Sequence, residues 1–153
     1  MLLVKLGGSA ITYKDKPMRA RIDVIERLAK EIAEALEQTG GRALIVHGAG
    51  SFGHPHVIKH GLADGFLKEK RKAQLRGFAI THNSVALLSG LINGALIHHG
   101  VPAVSLPPLA LLRQKKKRIS HFNIVPTRIL LKNGFVPLLH GDIVFDEAIG
   151  CSV

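Results

Sequence analysis

Leu44-Ile45-Val46-His47-Gly48-Ala49-Gly50-Ser51-Phe52-Gly53-His54-Pro55 is the stretch that decides how this chain folds. A short apolar run rich in β-branched residues stops at three glycines spread over six positions, and a histidine follows. This pattern reads as a strand running into a tight turn. Glycine permits positive φ and lets backbone N–H groups come close to an anion. A helix starting just beyond the turn adds its positive dipole end, so phosphate is the natural guest. No Lys-Ser/Thr pair closes the turn, which excludes a Walker loop. No acidic residue suits a ribose about 20 residues further on, which argues against a dinucleotide fingerprint.

A second glycine turn lies at the N-terminus. Leu2–Leu6 reads as a buried strand carrying one lysine, Lys5, and Gly7-Gly8-Ser9 follows at once. Lys14 comes nine residues after Lys5. Two cations and several N–H donors are thereby expected around one point. Chemistry on polyphosphates needs this, because charge on a transferred phosphoryl group must be balanced as it moves. An unpaired ammonium on a buried strand is costly, so Lys5 is expected to meet an anion.

Outward from these turns the chain alternates strands and helices. Ile22, Ile25, Leu28, Ala29, Ile32 and Leu36 recur at helical spacing, with Asp23/Arg27 and Glu26/Lys30 on the wet face. Gly40-Gly41 ends that helix, and Ala43–His47 is the second strand. Pro55–His60 reads as a short helical piece closed by Gly61. A long helix is expected from about Lys68 to His98, its second part apolar nearly all round and therefore buried. Gly90 and Gly94 suit close helix contact inside a core. Gly100–Leu106 reads as a strand, Leu109–Leu112 as a short helical piece and Gln114–Phe122 as a hairpin. Thr127–Lys132 is a helix introduced by Pro126 and capped by Asn133-Gly134. Phe135–Leu139 and Ile143–Phe145 complete the strands. This alternation implies a parallel sheet covered on both faces. No internal repeat, low-complexity tract or linker interrupts it.

The 153 residues fit one domain with a substantial core. Hydrophobic residues make up 46% and charged residues 21%, a globular balance rather than a disordered one. The single cysteine, Cys151, excludes an internal disulfide and suits a reducing cytoplasm. No signal peptide is visible, and Val85–Ile97 is too interrupted and too short for a bilayer. The formal net charge of +10 reads as a basic face and a site for polyanionic substrates rather than a nucleic-acid surface. Lys115–Arg118 looks like a solvated hairpin tip, and with no tryptophan and one tyrosine the chain has few base-stacking platforms.

Three blocks, Val4–Ser9, His47–Pro55 and Leu139-His-Gly-Asp-Ile-Val-Phe-Asp146, resemble the amino acid kinase superfamily and, within it, the isopentenyl phosphate kinase family. The Ser-Phe-Gly-His extension and the His-Gly-Asp-x-Val-Phe-Asp block are the more specific to that family. The resemblance implies a three-layer α/β/α sandwich with a mainly parallel sheet, the amino-terminal lobe of an amino acid kinase fold. It also implies ATP-dependent phosphorylation of isopentenyl phosphate to isopentenyl diphosphate in archaeal isoprenoid synthesis, in the cytoplasm. It runs from Met1 to Val153 but covers the front of the family's length. The carboxy-terminal nucleotide lobe is therefore expected to be absent and the chain alone to be a poor kinase.

By the same resemblance, Lys5, Gly7, Gly8, Ser9 and Gly50 contact the nucleotide, and Lys14 stabilises the transferred phosphoryl group. His54 binds the acceptor's phosphate, with Ala49, Gly50 and Gly141 as further acceptor contacts. Mg²⁺ is expected with ATP. Where many relatives have glycine this chain has Ala49. Asp142 reads equally as a cap or as a site carboxylate. His54, His56 and His60 are without a Cys or carboxylate cluster, which argues against a metal. Phe78, Ile80, Val85 and Leu88 are apolar residues on the candidate helices, and none is singled out for a tail pocket. No membrane partner is expected, and a homodimer is the partner to look for. Another superfamily kinase, or a non-catalytic anion- or nucleic-acid-binding module, is the alternative.

Overall fold

The computed structural model describes all 153 residues, Met1–Val153. Ala43, Ile45 and His47 of β2 (Ala43–His47) are buried, whereas Leu44 and Val46 between them are half-buried. This period of two is how a pleated strand separates its faces. With β1 (Leu2–Leu6), β3 (Ala103–Ser105) and β6 (Val136–His140) it forms a four-stranded parallel sheet in the order β1-β2-β6-β3. Leu6 is level with His47, and His47 with His140, so three strands end together. Both glycine turns leave the sheet from that edge, where open α/β sheets place their ligands.

One face of the sheet meets α2 (Ile22–Thr39) and α4 (Arg71–His98). Ile25, Ala29, Ile32 and Leu36 of α2 and Leu88, Ile92, Ala95 and Leu96 of α4 pack on Leu6, Ala43, Ile45, Ala103, Val136 and Leu138. The steps of three and four residues put each set on one helical stripe. Gly40 ends α2 in the left-handed conformation, its N–H donating to the Leu36 carbonyl. On the other side, α6 (Val125–Lys132) packs against β6. The expected fold class, an α/β chain built on a parallel sheet, is what the structure has.

Three local expectations need correction. Lys5 is exposed, as is Leu3 at 74%, because β1 is an edge strand paired with β2 alone. Both side chains leave the sheet on the face away from α2 and α4. The helix expected from Pro55 begins at Gly50: α3 spans Gly50–Lys59 and takes in the glycine turn, with Pro55 inside it. Proline has no N–H to give the Ser51 carbonyl four residues back, and the Met18 N–H bonds that carbonyl instead, at 3.1 Å. Finally, α4 is not buried all round. Leu87, Leu91 and Ile97 are exposed, and a side chain at Gly90 or Gly94 would project into open space rather than meet a helix.

A second sheet, in the order β5-β4-β7-β8, adjoins the first. It combines the expected hairpin, β4 (Leu112–Lys115) and β5 (Arg118–Phe122), with β7 (Val144–Asp146) and an unanticipated β8 (Gly150–Ser152). Lys116 and Lys117 at the hairpin tip have φ of 53° and 62°. Asp146 holds that tip, accepting N–H bonds from Lys116 (3.1 Å), Lys117 (2.7 Å), Ala148 (2.9 Å) and Ile149 (3.2 Å). Burial pushes its carboxyl upward, but these four donors outweigh that and hold its pKa down at about 2. Val57, Leu62, Ile143 and Cys151 form a small second core, with Phe66 and Phe78 against it. Buried Gln74 of α4 secures the 61–67 loop, accepting from Leu67 N–H (2.7 Å) and donating to the carbonyls of Gly61 (2.8 Å) and Gly65 (3.1 Å). Two single turns, α1 (Gly8–Ile11) and α5 (Pro108–Leu111), and a 3-10 turn at Lys68–Lys70 complete the chain.

Candidate functional site

The two glycine turns meet backbone against backbone. A Cβ on Gly8 would lie 2.6 Å from Gly50 N, and one on Gly48 would lie 2.7 Å from Gly8 N. No side chain fits either place. Thr12, buried at the end of α1, joins the turns: its hydroxyl donates to the Gly8 carbonyl (2.7 Å) and accepts the Ser51 N–H (3.0 Å). The segment between Thr12 and Ala20 is closed by a bridge between those two residues and by Tyr13 N–H to the Arg19 carbonyl. Met18 then docks it on Ser51. Lys14 is therefore carried on a loop tied to α3 rather than on a free one.

Two cavities adjoin this contact. The larger, about 620 Å³, is lined by Gly8, Ser9, Thr12, Lys14, Gly48, Ala49, Gly50, Ser51, His54, Pro55 and Ile58. The smaller, about 240 Å³, is lined by Gly48, Ala49, Gly53, His54, Val57, Thr81, Val85, Gly141, Asp142, Ile143 and Val153. Gly48, Ala49 and His54 border both, so they form a common wall. The backbone N–H groups of Gly8, Ser9, Ala49 and Gly50 all border the larger cavity and have no acceptor within the chain. These residues are half-buried or, for Ser9, exposed, and successive free N–H groups at such a turn form a concavity that suits an anion. No carboxylate lines the larger cavity, and Lys14 and His54 are its cation-capable side chains. The smaller cavity is apolar along Val57, Val85 and Ile143 and polar towards His54 and Asp142.

Two histidines brace the wall from beneath. His47 and His140 are register partners on neighbouring strands, and their rings stack with centroids 5.3 Å apart. His47 Nδ1–H donates to the Gly48 carbonyl (3.1 Å) and His140 Nδ1–H to the Gly141 carbonyl (3.3 Å). In a planar trans peptide, fixing the Gly48 carbonyl turns the Ala49 N–H to the opposite side. Burial, aided by the neighbouring His140, lowers His47 to a pKa of about 4. Burial also lowers His140, with Asp142 opposing. Both rings are neutral at neutral pH and act as oriented donors. The Asp142 carboxylate is fully enclosed, accepts from His82 Nδ1 at 2.9 Å and from Ile143 N–H at 2.8 Å, and so joins the strand edge to α4.

The family model for amino acid kinases matches residues 1–153. The chain belongs to the amino acid kinase family. It is 42% identical over 150 residues to the isopentenyl phosphate kinase of Methanothermobacter thermautotrophicus, a match covering 96% of this chain and 55% of that protein. A solved isopentenyl phosphate kinase superposes on all of this chain with a TM-score of 0.92 at 40% identity, over 62% of its own length. The T. acidophilum isopentenyl phosphate kinase product complex superposes with a TM-score of 0.85 at 27% identity, covering 99% of this chain and 59% of its own. The chain thus spans a little over half the length of the curated relative and about 60% of the solved ones.

Within this amino acid kinase fold the predicted residues separate into two groups. Gly8, Ser9, Lys14, Ala49, Gly50 and His54 share the larger cavity, and Ala49, His54 and Gly141 share the smaller one. Lys5 and Gly7 line neither, Lys5 standing exposed on the edge strand. His54 opens towards these cavities while His56 and His60 lie on the other side of α3, and no three His, Cys, Asp or Glu side chains are grouped to hold a metal. Of the apolar residues considered for a tail pocket, Val85 lines the smaller cavity, Leu88 belongs to the main core, Phe78 packs on Phe66 and Phe145, and Ile80 faces a different groove. Sequence reasoning missed Thr12, His82 and the histidine pair. His47 and His140 had a usable signal, since each directly precedes a site glycine at a strand end.

Proposed function

We propose that this chain carries the acceptor side of an ATP-dependent phosphotransferase that converts isopentenyl phosphate to isopentenyl diphosphate. The observation that carries the reading is the common wall. Two cavities share Gly48, Ala49 and His54, so two phosphate-bearing molecules can meet across a few backbone atoms. The name shared by the relatives supports the same substrate. The larger cavity takes the nucleotide's terminal phosphates on the N–H groups of Gly8, Ser9 and Gly50. The smaller takes the acceptor, its phosphate on His54 and Ala49 N–H near Gly141, and its five-carbon tail along Val57, Val85 and Ile143.

In this reading an oxygen of the acceptor phosphate attacks the γ-phosphorus in line, the bond to ADP breaks, and no covalent enzyme intermediate forms. Lys14 balances charge that grows on the transferred group, and His54 holds the acceptor in line. Lys5, exposed in this chain, is proposed together with Gly7 as a further contact to the nucleotide. The nucleotide supplies the phosphoryl group, with Mg²⁺ screening its charge. The larger cavity offers anion-binding donors and no carboxylate, so its residues fit the phosphates, and Mg²⁺ would be held by phosphate oxygens. A cytoplasmic setting and a homodimer belong to the same proposal. The exposed stripe Leu87, Gly90, Leu91, Gly94 and Ile97 on α4 supports self-association.

Calorimetric titration of the chain with isopentenyl phosphate tests the acceptor assignment. His54→Ala is expected to weaken binding about ten- to hundredfold, the worth of one charge-assisted hydrogen bond. His54→Gln, which keeps an N–H donor, should lose less. Wild-type affinity in the alanine variant, with the fold intact by circular dichroism, would place the acceptor elsewhere.

A further inference from the structure

On the other side of α3 lies a groove that the phosphotransfer reading does not use. Successive helical residues are about 100° apart, so His56, Lys59 and His60 face away from His54. Across from them stand Lys70 and, on the first turns of α4, Lys72 and Arg76. They line an open groove of about 730 Å³, larger than either cavity at the glycine turns and within the range of small-molecule sites. The two helices are held close because His60 packs its ring where Gly77 has no side chain.

The charge of this groove is unbalanced. Lys59, Lys70, Lys72 and Arg76 line it with Glu69 as the single carboxylate. None of the four cations, nor Glu69, is in an ion pair, so their charges are left for a guest. His56 Nε2 is enclosed without any hydrogen-bond partner. Like charges gathered in a concave wall repel one another and focus a positive potential there. The lining is polar apart from Ala73 and Ile80, which argues against an apolar guest.

We propose that this groove is a second anion site, separate from the acceptor site, that takes a compact small molecule bearing a diphosphate or triphosphate. The net excess of three permanent positive charges in the lining matches such a group better than a single phosphate. The groove's volume is that of a small-molecule site, and its lining holds no Phe, Tyr or Trp on which the bases of a polymer would stack, so a compact guest is favoured.

Amide NMR of the ¹⁵N-labelled chain, titrated with inorganic pyrophosphate at physiological ionic strength, tests this. Saturable shifts are expected at Lys59–Gly61 and Lys70–Arg76, with orthophosphate weaker. A Lys72→Gln, Arg76→Gln double variant should weaken that response about tenfold, a figure discounted for solvent screening, and leave any response at Gly48–Gly50 unchanged. Both substitutions sit at exposed helical positions that glutamine suits, and Lys70→Gln is a second route to the same loss. Shifts confined to the glycine turns, or reproduced by sodium chloride at matched ionic strength, overturn the proposal. So does a single-stranded RNA that shifts these residues where pyrophosphate does not.

Discussion

Residue by residue, the site depends on places where no side chain is tolerated. Gly8 and Gly48 let two turns touch, and Gly50 at φ +50° sits under the Thr12 side chain. Gly8→Ala forces the turns apart and is expected to cost about 1–3 kcal/mol by overpacking. It should also abolish acceptor and nucleotide binding together, because the common wall moves. Thermal unfolding and calorimetry on the same variant check both halves, and retained binding with unchanged stability would show that the contact is looser than drawn. The placement was legible: glycines at a strand end announced a tight turn, and the structure puts six of the residues read as site residues around one cavity. Lys5 was misread because apolar neighbours imply a buried strand, whereas burial depends on what lies beside β1, which no local pattern records. Thr12 was passed over because a threonine's partners are set by the fold rather than by spacing.

Elements were legible where their pattern is strong or long. α2 follows directly from steps of three and four, α4 from its length, and β1 and β2 from short apolar runs that stop at glycines. The start of α3 was missed because proline is favoured at a first helical turn, and here Met18 supplies the N–H that makes an interior proline tolerable. The second sheet was read only in part. Its strands are three to five residues long, β5 is exposed throughout, and β4 meets β7 through a single residue pair. What joins such short pieces is polar bonding from a buried side chain, Asp146, and Gln74 does the same for the 61–67 loop. Gln74→Ala strands the Leu67 N–H and the carbonyls of Gly61 and Gly65, and is expected to cost about 2–4 kcal/mol. Hydrogen exchange at Leu67 should accelerate more than exchange in α2. Equal acceleration everywhere would mean that the loop is not a separate unit.

At the scale of the whole molecule, acid is expected to weaken the fold well before its carboxylates are protonated. His47 is neutral when folded, with a pKa of about 4, against 6.5 for an ordinary histidine. Between those values the unfolded chain binds more protons than the folded one, so stability falls as pH drops from about 6.5 towards 4. The full loss is about 3 kcal/mol for His47, and His140 acts in the same direction. Denaturant midpoints measured across that range should decline, and His47→Gln should flatten the decline; a profile flat down to pH 4 would rule the assignment out. Cys151 has a consequence of another kind. Its thiol is buried in the small core, and burial raises its pKa to about 11, with Arg71 opposing and Asp146 adding. Thiolate is the reactive form, so an alkylating reagent finds nothing to attack while β8 is seated. Each modification event then records a moment when β8 has lifted away. The speed of labelling, followed by mass spectrometry, becomes a clock for how often the second sheet breathes, with no engineered label required.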